Sequence, residues 1–373
     1  MAIHTVVGGQ FGSEAKGHVA AQLAEQYRGR KQPTLLVRVG GSNAGHSAVD
    51  KDGRVWALRQ IPAAAVIDPM AKLIIAQGSE IDLTVLNDEI DRLDAANFNV
   101  TARLYIDPSA TIIEQRHIDA ETGSDLNART GSTAKGIGAA RADRIMRQAK
   151  TAYDIDELAP LLVDTAKMIQ EAFYNDATVI VEGTQGYGLG MHTANYPQTT
   201  SGDCRTVDLL QQIGFVPLDP ARSRAVHTWL VMRTYPIRVA GNSGNLDGEL
   251  SWSDLGERSG GYIQPELTTV TKKVRRVGEW DTALVQQAIE ANGGNNDYMH
   301  PCLMFVDYLD PTLAGVTDIS VLFDGAHAAA ANEVLARAAD VGQTFAMLGT
   351  GQATVMFDHE ALEYQIYDWK DGD

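Results

Sequence analysis

The chain has 373 residues, 44% hydrophobic and 21% charged, an ordinary globular balance that excludes a disordered protein and gives enough length for a sizeable core. Its formal net charge of −17 offers nothing in bulk to a nucleic-acid polymer or an anionic membrane, although a local basic cluster can still hold an anionic small substrate. Cys204 and Cys302 are too few and too far apart for a disulfide framework or a zinc site, no apolar run reaches ~20 residues, and no secretory signal opens the chain, so a reducing, cytoplasmic setting is expected.

In chain order, Ile3–Val7 reads as a strand and Lys16–Arg28 as a helix with Val19, Ala20, Leu23 and Tyr27 at its apolar positions. Leu35–Val39, Leu73–Ala76, Thr178–Val181, Leu303–Val306 and Thr344–Leu348 read as further short strands, nearly continuous in apolar residues, which suits a sheet covered on both faces. Asp281–Asn292 and Ala326–Val341 read as helices stopping near Gly293 and Gly342, and Gly241–Gly248 as a mobile surface loop. No repeat, low-complexity tract or linker divides the chain. The expectation is an α/β fold: a single large domain over residues 1–373, with a mostly parallel central sheet, insertions and a P-loop-like nucleotide site.

Several loops carry chemistry. Gly8-Gly9-Gln10-Phe11-Gly12-Ser13-Glu14-Ala15-Lys16-Gly17 lies between a strand and a helix, where backbone N–H groups and the positive end of the helix dipole face an anion. The glycines let phosphate approach, and Lys16 can neutralise transferring charge. The loop departs from the usual P-loop pattern, with Ala15 before the lysine and Gly17 after it where Gly and Ser/Thr are expected. Gly40-Gly41-Ser42-Asn43-Ala44-Gly45-His46 follows a strand at the carboxyl end, where α/β folds place ligands; its carbonyls could reach a cation, and His46 could donate to a phosphoryl oxygen. Gly131-Ser132-Thr133-Ala134-Lys135-Gly136-Ile137-Gly138 offers hydroxyls and amides to a phosphate. Glu182-Gly183-Thr184-Gln185-Gly186 offers Gln185 to a base edge, and Tyr196-Pro197-Gln198-Thr199-Thr200-Ser201 offers more hydroxyls. Thr268–Arg276 packs four cations beside three threonine hydroxyls in an acidic protein, which suits capture of carboxylate and phosphate. Each segment read singly also fits a plain turn or a solvated face.

Together and in this order the loops resemble adenylosuccinate synthetase, from residue 3 to about residue 356. The late stretch of the bacterial enzymes is missing, so the chain resembles the shorter archaeal type. The resemblance implies transfer of a triphosphate's γ-phosphoryl group to O6 of a purine monophosphate, followed by displacement of phosphate by the amine of L-aspartate. It places Gly12, Ser13, Glu14, Ala15, Lys16, Gly17, Gly45, His46, Ser47, Arg275, Phe305, Asp307, Gly349 and Gly351 around the triphosphate, with Ser13, Lys16 and His46 catalytic. Ser13, Asn43, Ser132, Thr133, Arg147, Gln185, Thr200 and Lys273 fall around the purine monophosphate. Thr269, Val270, Thr271, Lys272, Lys273 and Arg275 fall around aspartate, Lys273 standing where the family has arginine. Mg²⁺ would be held by the Gly45 carbonyl and residue 13. Arg147 matches an arginine that reaches in from a partner subunit, implying a homodimer.

Two departures redirect the substrate expectation. Ser13 stands where the family has an aspartate that serves as base at purine N1 and as metal ligand. Serine is smaller and uncharged, which suits a purine carrying a 2-amino group. In this the chain is similar to the phage 2-aminoadenylosuccinate synthetases, which act on dGMP to make the diaminopurine precursor. What removes the N1 proton instead is left open between Glu14 and a water. Phe305 stands in Met304-Phe305-Val306-Asp307 where the family has the lysine of a guanine-selecting Thr-Lys-x-Asp stretch. It either relaxes guanine selection in favour of ATP or dATP, or is an ordinary core aromatic in a buried strand. The rival readings are an adenylosuccinate synthetase acting on IMP with GTP and a non-catalytic nucleotide-binding regulator.

Overall fold

The computed structural model describes residues 2–31, 33–217, 225–268 and 272–357. Nine strands form one sheet in the order Val355–Phe357, Met347–Gly349, Met299–Met304, Val226–Arg233, Ala2–Gly8, Thr178–Glu182, Leu35–Arg38, Lys72–Ile75 and Leu104–Ile106. Every pairing is parallel except that of Met347–Gly349 with Val355–Phe357. This is the α/β, mostly parallel architecture that the apolar runs imply.

The runs are continuous because both faces are covered. Side chains alternate across a strand, yet Val6, Leu36 and Ile180 enter one core cluster while Ile3, Val7, Leu35, Val37, Val179 and Val181 enter the other. Helix Lys16–Tyr27 contributes Val19, Ala20 and Leu23 to the first cluster; helices Thr282–Ala291 and Ala328–Val341 contribute Val285, Ile289 and Val334 to the second. Asp281 caps its helix by accepting from the Leu284 amide, and Gly342 ends the other at φ 81, the left-handed conformation that glycine adopts freely.

Three expectations shift. The strand expected at Leu303–Val306 runs Met299–Met304, because Phe305 turns to φ 63 and starts a 3-10 turn over Val306–Tyr308. The one expected at Thr344–Leu348 is Met347–Gly349. Gly241–Gly248 is tied down rather than loose: Ser243 and Leu246 are buried, Arg238 donates to the Asn245 carbonyl, and Arg276 donates to that of Gly244. Val226–Arg233, beside the central Ala2–Gly8, was missed; its opening His227-Thr228 breaks the apolar signature.

Candidate active site

The loops converge on a cavity at the carboxyl edge of the central strands. Its walls are Gly12 and Ser13 from the first loop; Asn43, Gly45 and His46 from the second; Ser132 and Thr133; Gln185; Thr200; and Lys273 and Arg275 from the basic segment. Two glycines set how closely these loops pack. Gly12, at φ 95, lies where a Cβ would stand 3.1 Å from the Gln185 Cα. At Gly17 a Cβ would meet the His46 Cβ at 2.7 Å, so the glycine that replaces the expected Ser/Thr is what lets His46 rest on the first helical turn.

Not every expected phosphate donor is free. The Gln10 and Gly12 amides both donate to Glu14 Oε1, at 3.1 and 2.6 Å, and the fully buried Glu14 pairs with Lys16 through Oε2 at 2.8 Å. Glu14 is therefore committed to the loop and is not a free base. Helix Lys16–Tyr27 starts without a side-chain cap, and although the His18 amide donates to the Ala15 carbonyl at 3.0 Å, the Lys16 and Gly17 N–H groups keep their capacity for an anion. The Gly131–Gly138 segment differs. Buried Glu121 accepts from the amides of Gly136 and Gly138, each at 2.7 Å, and of Ala139 at 3.3 Å. Amides expected to hold a phosphate hold a carboxylate of the same chain, leaving Ser132 and Thr133 as that loop's cavity groups.

His46 is buried at 7% exposure, with its Nδ1 2.5 Å from Glu182 Oε1 and 2.6 Å from an Arg38 guanidinium nitrogen. Burial, then Arg38, pushes its pKa down to about 4. Burial works to raise the Glu182 carboxyl, but Arg38 and His46 together hold it below its usual range. Neither partner was singled out in the sequence. Their signal was a charge at the end of an apolar strand, since a charge buried there needs a partner.

Ser13 receives a hydrogen bond on Oγ from Arg275 at 2.6 Å, and Arg233 donates to its carbonyl oxygen at 3.0 Å. Arg233 also pairs with Glu266 and lies 3.9 Å from the centre of the Phe305 ring. Phe305 is thus not the middle of a strand; it is a turn residue with an arginine on one face. Asp307 follows it, with a buried Oδ1 that has no hydrogen-bond partner and a pKa that burial pushes up to about 6. Gly349 and Gly351 lie at and beyond the end of the adjoining strand, and all four stand outside the main cavity lining.

The basic segment does not act as one clamp. Lys273 and Arg275 line the cavity, Arg276 is paired with Glu249 at 2.6 Å, and Lys272 is exposed. Thr269, Val270 and Thr271 lie outside the described residues. Arg238, missed in the sequence, lines the cavity, stacks on Phe11 at 4.3 Å and holds the Gln198 carbonyl. Arg147 is exposed at φ 60 beside Ile145 and Met146, 70% and 63% exposed, and Ser47 is exposed on a hairpin strand.

No His/Cys/Asp/Glu group among the described residues forms a metal cluster. The donors available to Mg²⁺ are oxygens of the loop itself. Gly45 is at the cavity wall, whereas the Ser13 hydroxyl already faces the Arg275 guanidinium. That set fits a cation held chiefly by the ligands' own phosphate oxygens. A second group of histidines, buried His4 and His300 with half-buried His227 between them, stacks at the opposite end of the sheet, away from the cavity.

The adenylosuccinate synthetase family model matches residues 5–157 and 150–319. Adenylosuccinate synthetase of Thermococcus onnurineus is 36% identical over 324 residues, covering 86% of this chain and 89% of that protein. The Pyrococcus horikoshii protein of the same name is 35% identical over 319 residues, covering 85% and 87%. The structure of cyanophage S-2L succinoaminodeoxyadenylate synthetase, bound to dGMP and dATP as an energy donor, matches with a TM-score of 0.77 and 25% identity over 99% of each chain. Fully ligated adenylosuccinate synthetase from Plasmodium falciparum shares the fold, with a TM-score of 0.78 at 18% identity over 96% of this chain and 99% of that one.

Proposed function

This chain belongs to the adenylosuccinate synthetase family, a family of carbon–nitrogen ligases, and from that premise we propose that it joins L-aspartate to C6 of dGMP with ATP or dATP as phosphoryl donor. In the first step a Pγ–O bond breaks as the purine O6–P bond forms; in the second the aspartate amine forms the C6–N bond and phosphate leaves with O6. The product is N6-succinyl-2-amino-2'-deoxyadenylate, a precursor for 2,6-diaminopurine DNA.

The observation that carries this reading is Ser13 in a cavity wall that holds no aspartate or glutamate among the described residues. A wall of hydroxyls, amides, His46, Arg238, Lys273 and Arg275 suits two phosphorylated nucleotides and a dicarboxylate. At position 13 a carboxylate would meet the Arg275 guanidinium; the serine hydroxyl there leaves more room beside the purine, where dGMP carries its extra amine. The dGMP and dATP bound to the cyanophage enzyme support the same reading.

Phosphoryl transfer needs positioning and charge neutralisation more than covalent help. Lys16 and the uncapped helix start hold the triphosphate, and His46 donates to the group in transfer. Ser132, Thr133 and Thr200 hold the purine nucleotide's phosphate; Asn43 and Gln185 face its base. Lys272, Lys273 and Arg275, with Thr269, Val270 and Thr271, grip aspartate. Phe305 and Asp307 take the triphosphate's base, with Gly349 and Gly351 beside them. The bare buried oxygen of Asp307 is a partner in waiting for that base. Gly45 and Ser13, together with the ligands' phosphate oxygens, would hold Mg²⁺, which would supply neutralisation of phosphate charge. A second copy of the chain supplies Arg147, residues 1–373 act as one unit, and the reaction runs in the cytoplasm. No helix among the described residues is long and apolar enough to cross a membrane.

The second reading, IMP with GTP, is favoured by the names of the archaeal relatives. Turnover decides between them. With aspartate and each triphosphate, dGMP is expected to support phosphate release and the succinylated product at least ~10²-fold better than IMP, with ATP or dATP as donor. Good use of IMP with none of dGMP sinks the substrate assignment, and turnover with GTP alone sinks the donor assignment.

A further inference from the structure

We propose that Glu182, locked by Arg38, is a positioning residue for His46: its carboxylate anchors the imidazole through Nδ1 and so presents Nε2 to the phosphoryl group in transfer. The proposal rests on the reading of His46 as the donor to that group.

Arg38 and Glu182 end neighbouring parallel strands and stand opposite each other in register. Both are buried, at 0% and 2% exposure, and neither lines the cavity. The carboxylate is held at both oxygens. Oε1 is hydrogen-bonded by Arg38, and Oε2 accepts from the Ala63 amide at 2.8 Å. Arg38 in turn donates to the carbonyls of Ala44 at 2.6 Å and Arg59 at 3.3 Å, which roots it in the glycine-rich loop that carries His46. So rigid a carboxylate, 2.5 Å from His46 Nδ1, leaves the ring little freedom to turn. Gly17 supports the same pose from the other side, where a Cβ would strike the His46 Cβ at 2.7 Å.

The proton on the ring follows from which partners can only accept and which can only donate. A carboxylate only accepts, so a close contact with Nδ1 calls for a proton on that nitrogen. A guanidinium only donates, and Arg38 has Glu182 and two carbonyls for its N–H groups without the Nδ1 lone pair. The Nδ1–H tautomer gives Glu182 Oε1 a second donor and leaves Nε2, which has no protein hydrogen bond among the described residues, for a ligand; the Arg38 nitrogen 2.6 Å from Nδ1 is then a neighbouring charge and not a hydrogen-bond donor to the ring. For Nε2 to donate to a phosphoryl oxygen the ring takes a second proton, from solvent, once that group is in place. Glu182 then stands behind the imidazolium as its counter-charge, the role a buried aspartate plays behind a catalytic histidine.

A buried Arg–Glu pair across two strands could instead serve only as a brace, and the two roles give different results. The test uses the full chain with whichever of dGMP or IMP it turns over better. Glu182→Gln, His46→Ala and the double variant are compared by steady-state kinetics, and the His46 ring is read by ¹⁵N NMR in the unmodified protein. Glu182→Gln is expected to lower kcat on the order of 10²-fold, with each KM within about threefold. In the His46→Ala background the same change is expected to cost less than about twofold, because a residue that acts through His46 has nothing left to position. The ring is expected to show a protonated Nδ1 and an imine-type Nε2. Losses that multiply in the double variant overturn the proposal, as does an imine-type Nδ1, and the NMR result decides even if Glu182→Gln does not fold. Full activity in His46→Ala overturns the role of His46 itself, and is distinguished from failure of the positioning by that single variant.

Discussion

Two glycine-rich junctions of this chain look alike in sequence and differ in what they leave open. Gly8–Gly17 runs into helix Lys16–Tyr27, and Gly131–Gly138 into helix Ile137–Ile145. At each an internal glutamate takes backbone amides. Glu14 takes those of Gln10 and Gly12, ahead of its helix, and pairs with Lys16. Glu121 takes those of Gly138 and Ala139, inside the first turn itself, together with that of Gly136. The first junction keeps its helix start for a ligand; the second spends its helix dipole on the protein. A glycine-rich loop before a helix is thus a capacity for anions, and a side chain from elsewhere decides whether a ligand uses it.

Three substitutions test that contrast. Lys16→Ala is expected to lower kcat/KM on the order of 10³-fold, measured by phosphate release on the folded enzyme. If more than a tenth of the activity survives, the first junction is no more catalytic than the second. Glu121→Gln is expected to act on stability instead. It weakens a charged acceptor of three amides, a cost of about 1–3 kcal/mol visible as a lower Tm, with kcat within about threefold. A kcat loss comparable to that of Lys16→Ala would erase the distinction. The smallest effect concerns Ala15, which caps the first helix at φ 70, a left-handed conformation that costs a side chain about 1 kcal/mol. Ala15→Gly is expected to raise stability by about 0.5–1 kcal/mol after glycine's greater loss of entropy on folding, and Tm by about 1–3 °C. An unchanged or lower Tm would show that the junction stores no such strain.

Much of the sheet was legible because strands covered on both faces leave a run of apolar residues that needs no partner to recognise. Six of its nine strands were read, five of them at or within a few residues of their positions, and Leu303–Val306 too late because nothing local announces the turn at Phe305. Val226–Arg233 escaped because His227 and Thr228 are polar, and their burial depends on neighbours distant in the chain. In the site, Ser13, Asn43, Gly45, His46, Thr133, Gln185, Thr200, Lys273 and Arg275 were found from loop composition and order, and all line the cavity. Arg38, Glu182, Glu121, Arg233 and Arg238 were not, because each acts through a partner. Arg38 and Glu182 are 144 positions apart, and no spacing rule joins them.

By itself, then, the sequence determined the α/β class, the strand-and-loop order that identifies the family, and the serine that redirects the substrate expectation. Those are properties of residue type and local order, and they survive without coordinates. The tertiary structure alone decided which anion-binding loops are open, which face of His46 is held, and what covers Phe305. These depend on where buried charges end their strands and which partners they meet. Because an unpaired buried charge is so costly, the fold settles those pairings only once the whole sheet is assembled.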